Sequence, residues 1–329
     1  MLKYVLKRLG YILVTLWVIV TCTFFMMKNL PGTPFDAERF SIMTPQQQER
    51  VLEMYGLNDS LPMQYVKYIK NMLKGDLGTS FTYVNQDVSK VITGRLGPSA
   101  LIGIQAVLIG LAIGLILGIL AAWKHNSGID YFTMILAVLG VSVPNFVAAA
   151  LLQYYIGLKW GALPVGFWTG WNCSVLPSIA LSFSATAMVA RFMRTEMLDV
   201  LDQDYIVTAR AKGLSQMKVL MRHAVRNSIL PVVTILGPIV VNLMTGSLAV
   251  ENIFSIPGIG SLFVDCIKAN DYPVIMGITI FYAAFYMLIV LLVDLAYSLI
   301  DPRIRLAKEK ESLSWTNQKL TAACIRKRK

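Results

Sequence analysis

Apolar positions gather into six long runs, approximately Leu9 to Met27, Ala100 to Trp123, Phe132 to Gly157, Val175 to Ala190, Leu230 to Val250 and Val274 to Ile300. A hydrocarbon layer of roughly 30 Å needs about 20 helical residues at about 1.5 Å each. Each run therefore predicts one membrane-crossing helix. The fourth is the shortest, and Pro177 and four hydroxyl residues soften it. The first is preceded by Lys3, Lys7 and Arg8 in the manner of a secretion signal. Its run of about 19 apolar residues exceeds a signal core of roughly 7–15, and no small-residue cleavage site follows, so it reads as a retained helix.

Between the first two runs, residues 30–98 are polar and mixed in charge, which predicts a small water-exposed subdomain. Thr44 before Pro45 has the form of a helix start. Val51, Leu52, Met54 and Tyr55 then supply an apolar face, and Gly56 ends it. A second amphipathic stretch runs from Met63 to Leu73 and stops before Gly75. In the second long run Gly110, Gly114 and Gly118 recur every fourth residue, a spacing that lets another helix approach closely.

Composition agrees with a bilayer as the solvent: of 329 residues 56% are hydrophobic and 15% charged. A net charge of +11 would suit nucleic acid, but the placement of the charges points to the membrane instead. With six crossings and an inner N-terminus, the inner segments hold Lys3, Lys7, Arg8 and Lys124, seven cations from Arg191 to Arg226, and nine from Arg303 to Lys329. The short outer loops hold only Lys159 and Lys268. The expectation is an all-α polytopic membrane protein with six transmembrane helices and both termini inside. It divides into 1–29 (N-terminus and first helix), 30–98 (extracytoplasmic subdomain), 99–303 (a core of five helices) and 304–329 (a basic tail that contacts anionic lipid). No nucleic-acid partner is expected. The four cysteines have no paired spacing, so no metal knuckle or disulfide framework is indicated, and whether Cys173 and Cys266 pair stays open.

The inner segment 191–227 is too polar to enter the membrane and too patterned to be a linker. Asp199, Asp202 and Asp204 precede a short helix that ends in Arg210 and Lys212, as the helix dipole favours. Gly213 provides the break, and a second helix follows from Met217. Ile206, Ala209, Arg210 and Gly213 fall on one face, which is read as a docking face. No Gly-x-x-x-x-Gly-Lys-Ser/Thr loop occurs in the chain. No catalytic residue, metal site or cofactor of its own is expected.

The stretch Asp204-Tyr205-Ile206-Val207-Thr208-Ala209-Arg210-Ala211-Lys212-Gly213-Leu214, followed by Arg222 to Asn227 and Ile229-Leu230-Pro231, resembles the signature loop of type I ABC import permeases. Thr208-Ala209-Arg210 stands where that family has Glu-Ala-Ala, as in its peptide-transport branch. Pro31 to Phe35, Tyr55 to Asp59, Gly75 to Gly78, Val143 to Val147, Gly246-Ser247, Glu251 to Phe254, Ile256 to Gly260, Asp271-Tyr272 and Ile300 to Arg303 extend the resemblance to the oligopeptide permeases of B type. The resemblance implies the ABC type I importer permease fold and a place in the bacterial cytoplasmic membrane. It also implies an ATPase-coupling role for 204–214 and an outer gate loop with Glu251, Pro257, Gly258, Gly260 and Asp271. The implied partners are two ABC ATPase subunits holding ATP and Mg, a second homologous permease subunit and an extracytoplasmic peptide-binding protein. Dipeptide, glutathione and nickel importers share these features.

A secondary transporter would ordinarily place carboxylates or histidines inside the membrane. Helices two, three and five contain none, and Asp294 in the sixth lies near the inner end. His125 and His223 fall in inner loops, away from any buried serine, which speaks against an intramembrane protease. Asn145, Gln153, Asn242, Thr245 and Ser247 are the pore-lining candidates, because a passing peptide backbone needs hydrogen-bond partners. Each has a structural alternative, a bond to a neighbouring helix.

Overall fold

A computed structural model describes residues 2–29, 40, 42–54, 56–83, 86–245 and 247–300. The expectations for Pro31 to Phe35, Tyr55, Gly246 and the tail 304–329 lie outside them, as does the side chain of Asp294. The helices are α1 (Leu2–Lys28), α2 (Pro45–Met54), α3 (Leu61–Leu73), α4 (Val88–Trp123), α5 (Gly128–Ser142), α6 (Asn145–Leu152), α7 (Val175–Leu201), α8 (Asp204–Ala211), α9 (Arg226–Met244), α10 (Leu248–Ile253), α11 (Ile259–Lys268) and α12 (Tyr272–Ile300). Among the described residues five helical stretches are long and apolar enough to cross a membrane, and a bent pair brings the number to six if it counts as one span.

The bent pair corrects the third predicted helix. Residues 132–157 are not one rod: α5 ends at Ser142, α6 begins at Asn145, and the two axes meet at 100°. Pro144 has no N–H and crowds the residue before it, which disfavours helical geometry there. Val143 accordingly takes φ −80°, ψ 118°. Beyond α6 the chain continues as a π-type turn over Gln153–Lys159.

Two other spans are longer than their apolar runs. The α4 helix starts at Val88, and its 36 residues reach roughly 54 Å, so its first turns stand outside the hydrocarbon layer. The fourth span, read as the weakest, is the centre of the bundle. Pro177 sits in its first turn, where a missing N–H costs nothing. Three of the four hydroxyls that soften it are bonded: Ser182 and Ser184 to carbonyls one turn back, and Ser178 within reach of Ser174 O at 2.7 Å, Gln105 Oε1 at 2.8 Å and Ile102 O at 3.2 Å.

The core forms where α4 packs on α7. A Cβ at Gly110 would lie 2.7 Å from that of Ala185, at Gly114 2.8 Å from that of Val189, and at Gly118 2.6 Å from Ala190 O. The glycine spacing thus sets the distance between these helices. Leu176, Ala180, Met193 and Met197 fill the same core with Ile102 and Ala106, while α1 lies outside it against α12. At one end Asp130, in the first turn of α5 and 1% exposed, accepts from Arg194 Nε at 2.5 Å and Nη2 at 2.8 Å and from the Asn126 N–H at 3.0 Å. His125 Nδ1 lies 3.1 Å away. This two-pronged pair fastens the α4–α5 connection to α7.

Candidate functional site: the coupling loop and the outer gate loop

The α8 helix hangs between two spanning helices. Gln203, in extended geometry, precedes it, and Asp204 occupies the first turn. At the other end the Gly213 N–H donates to Arg210 O at 2.9 Å and the Leu214 N–H to Ala209 O at 3.4 Å. Gly213 takes φ +74°, a left-handed conformation that a side chain resists. The chain then re-enters a helix at Gln216 and runs through a π-type stretch, Val219–Val225, into α9. Ser228 Oγ bonds Glu196 O at 3.2 Å, which joins the start of α9 to the end of α7.

The docking face read from the sequence is corrected by burial. Ile206 and Ala209 are 0% and 6% exposed and pack with Val219, Val200 and Leu201. They turn inward because, one helical turn apart, they are the apolar residues able to close the loop onto its own stem. Asn227 Nδ2 donates to Tyr205 Oη at 3.0 Å on the same stem. Asp204, Tyr205, Thr208, Arg210, Ala211, Lys212, Gly213 and Leu214 are exposed. The surface available to a partner is therefore the opposite one, with Thr208 and Ala211 at its centre.

At the far end of the bundle the loop expected to act as a gate is built around a carboxylate. Glu251, in α10, is 3% exposed. Its Oε1 accepts from Ser99 Oγ at 2.7 Å and its Oε2 from the Ser261 N–H at 2.9 Å. Ser99 Oγ in turn accepts the Ile259 N–H at 2.9 Å. The carboxylate thus lies at the start of α11, where unpaired N–H groups and the helix dipole favour negative charge. Two of the predicted glycines follow from this arrangement. A Cβ on Gly258 would fall 2.3 Å from Glu251 Cδ, and one on Gly260 2.8 Å from Leu248 N. Pro257 lies in the turn between them and α10.

Asp271 is 0% exposed. It accepts from the hydroxyl of Ser80, from the Phe81 N–H at 3.2 Å and from the Thr82 N–H at 3.0 Å. The connection before α4 is thereby pinned to the start of α12. Nearby, Cys266 is buried and free, as is Cys173. Burial, with the carboxylates of Asp271 and Asp265 close by, pushes the Cys266 thiol up to about 12.

The pore-lining candidates separate. Gln153 spends its amide on Val165 O at 2.5 Å and Ile253 O at 2.7 Å, and so ties the outer loop to α10. Thr245 Oγ1 donates to Asn242 O at 3.3 Å, and its own carbonyl accepts Tyr282 Oη. Asn242 is exposed, Asn145 and Ser247 are half-buried. None of the five lines the large groove of about 980 Å³ between α4, α5, α6 and α7, whose walls are almost wholly apolar and include Ile113, Leu136, Leu151 and Phe183. A peptide backbone finds too few partners there. Ser80, Ser99, Asp130 and Arg194 escaped sequence reasoning because the bonds Ser80–Asp271, Ser99–Glu251 and Arg194–Asp130 span 191, 152 and 64 positions, and Ser261 because its backbone N–H makes the bond to Glu251.

A bundle of helices long and apolar enough to cross a membrane, with a mounted loop at one end and a latched loop at the other, defines a polytopic membrane protein. Residues 1–98 match the model described as "Binding-prot-dependent transport system membrane comp, N-term" and residues 114–306 the one described as "Binding-protein-dependent transport system inner membrane component". The chain belongs to this family of inner-membrane components. It is 46% identical over 306 residues to the dipeptide transport system permease protein DppB of Lactococcus lactis subsp. cremoris, covering 93% of this chain and 100% of that protein. Identity is 43% to DppB of Bacillus subtilis (94% and 100% covered) and 39% to the oligopeptide transport system permease protein OppB of Haemophilus influenzae (93% and 100% covered). A solved structure described as "Crystal structure of an amino acid ABC transporter with histidines" superposes with a TM-score of 0.49 at 20% identity, covering 65% of this chain and 94% of that one.

Proposed function

We propose that the chain is a permease subunit of an ATP-driven peptide importer, forming half of the translocation path and receiving force through the 204–214 loop. The observation that carries the coupling role is the mounting of α8. Its inner face is buried on the stem, its outer face is exposed, and both ends run directly into spanning helices. A push on Tyr205, Thr208, Ala211, Lys212 or Leu214 therefore moves α7 and α9 rather than a slack linker. The permeases named for dipeptides and oligopeptides, similar over almost the whole chain, support peptide as the cargo. The higher identities to the dipeptide permeases favour short peptides within that class.

On this reading two ATPase subunits bind ATP and Mg and dock on the exposed face of α8, so this chain hydrolyses nothing and holds no cofactor. A second permease subunit completes the path. An extracytoplasmic binding protein delivers peptide to the loop around Glu251, Pro257, Gly258 and Gly260. Residues 30–98 lie on that same outer side, and both termini lie inside. Asn145, Asn242, Thr245 and Ser247 offer the passing backbone its hydrogen bonds, whereas Gln153 holds the loop in place. Pull-down of the tagged chain from gently solubilised membranes, with mass spectrometry of the bound proteins, tests the assembly. Two P-loop ATPases and a second permease are expected; the chain alone, from a preparation that preserves other complexes, would refute it.

A further inference from the structure

A second cavity, of about 330 Å³, lies where the end of α1 meets α3 and the start of α12. Its floor is apolar, with Phe24, Met27 and Met276. Its rim is polar, and part of that rim is already committed: Lys67 pairs with Asp59 at 2.6 Å, and Asp76 accepts the Gly78 N–H at 2.8 Å. Four lining groups are not. Lys28 is half-buried and has the Phe24 ring, 5.8 Å from Nζ, in place of an ion pair among the described residues. The hydroxyl of Tyr68 is buried and without a hydrogen-bond partner among the described residues. Glu53 and Asn71, both exposed, stand at the rim of the cavity, and their side chains have no protein partner among the described residues.

A buried hydroxyl without a partner is uncommon in a native fold and calls for a polar group to meet it. Burial pushes the Tyr68 phenol above its ordinary value, so it stays a neutral donor. Lys28 is a cationic donor and Asn71 a neutral one, which together suit an anionic oxygen cluster such as a phosphate. Glu53 contributes the opposite sign and suits an ammonium. The apolar floor is continuous with the end of a spanning helix on which Phe25 and Met26 are exposed, so the ligand enters from the bilayer. We propose that this cavity binds a phospholipid headgroup carrying both a phosphate and a primary ammonium, with Lys28, Tyr68 and Asn71 on the phosphate and Glu53 on the ammonium. The volume accommodates a headgroup, and the acyl chains remain along α1.

The test uses the full chain in detergent, stripped of lipid and titrated with phosphatidylethanolamine, phosphatidylglycerol or free phosphoethanolamine, with bound lipid read by native mass spectrometry and stability by Tm. Phosphatidylethanolamine is expected to bind and raise Tm, and Lys28→Gln and Tyr68→Phe to weaken that binding about tenfold each. In the stripped state Tyr68→Phe is expected to melt no lower than the original chain, since it removes only an unpaired hydroxyl. Equal binding of phosphatidylglycerol, which has no ammonium, would overturn the proposal. So would binding of free phosphoethanolamine as tight as that of the lipid, or undiminished binding by Tyr68→Phe. If Lys28→Gln does not fold, Tyr68→Phe alone decides the matter.

Discussion

Glu251 and Asp271 hold the gate-loop end through buried carboxylates, each accepting bonds from groups distant in the chain. The coupling loop, by contrast, is held by a small apolar patch, Ile206, Ala209 and Val219, with one side-chain bond from Asn227. Buried charge-assisted bonds fix one geometry, because any displacement leaves a desolvated carboxylate short of donors. An apolar patch tolerates small sliding at little cost. The difference suits the roles proposed for them, a gate loop of fixed shape at one end and a swinging lever at the other.

Breaking the gate latch should have the largest effect. Glu251→Leu strands the Ser99 hydroxyl and the Ser261 N–H in the core, so a loss of about 3 kcal/mol is expected, read as a fall in Tm in detergent. A wild-type melting curve would remove the latch from the account. Gly258→Ala should lose nearly as much, because its new methyl group meets the Glu251 carboxyl. The double variant Gly258→Ala/Glu251→Ala, which clears that space, should melt no lower than Glu251→Ala alone; additive losses would contradict the steric argument.

The coupling loop gives a smaller and directional effect. Ile206→Ala should cost about 2 kcal/mol through the cavity it leaves, whereas Thr208→Ala, on the exposed face, should stay within about 0.5 kcal/mol. Equal losses would mean that α8 is not seated as described. The smallest effect is chemical: Cys266, buried and held as a thiol, should resist maleimide at pH 8 in the folded chain and react after unfolding. Labelling in the native state would show that the gate end opens.

Much of this architecture was legible in the chain, and the failures share a cause. Hydropathy located five spans and the bent pair because the bilayer imposes a length on every crossing helix. Periodicity found the glycine stripe, and charge marked the polar connection between the fourth and fifth spans, although residues 191–201 of the expected loop 191–227 belong to α7. What a single strand of sequence conceals is the partner. Nothing local to Asp271 signals that Ser80 and Thr82 are waiting for it, and nothing near Asp130 points to Arg194. The inward turn of Ala209 was hidden for the same reason, since a small apolar residue on a polar loop suits a docking face and a packed stem equally. The bend at Pro144 differs from these, since its cause is local, the backbone chemistry of Val143-Pro144 within an apolar run.

The exposed face of α8 is proposed to carry force from an ATPase. Peptide-stimulated ATP hydrolysis by the reconstituted complex, with Thr208→Arg and Ala211→Arg in this chain, tests it most directly, because both residues are exposed and the chain itself should fold normally. The expected result is an intact, membrane-inserted chain whose complex has lost peptide stimulation by at least about tenfold, equivalent to some 1.4 kcal/mol of coupling. Stimulation equal to that of the unaltered complex would contradict the account.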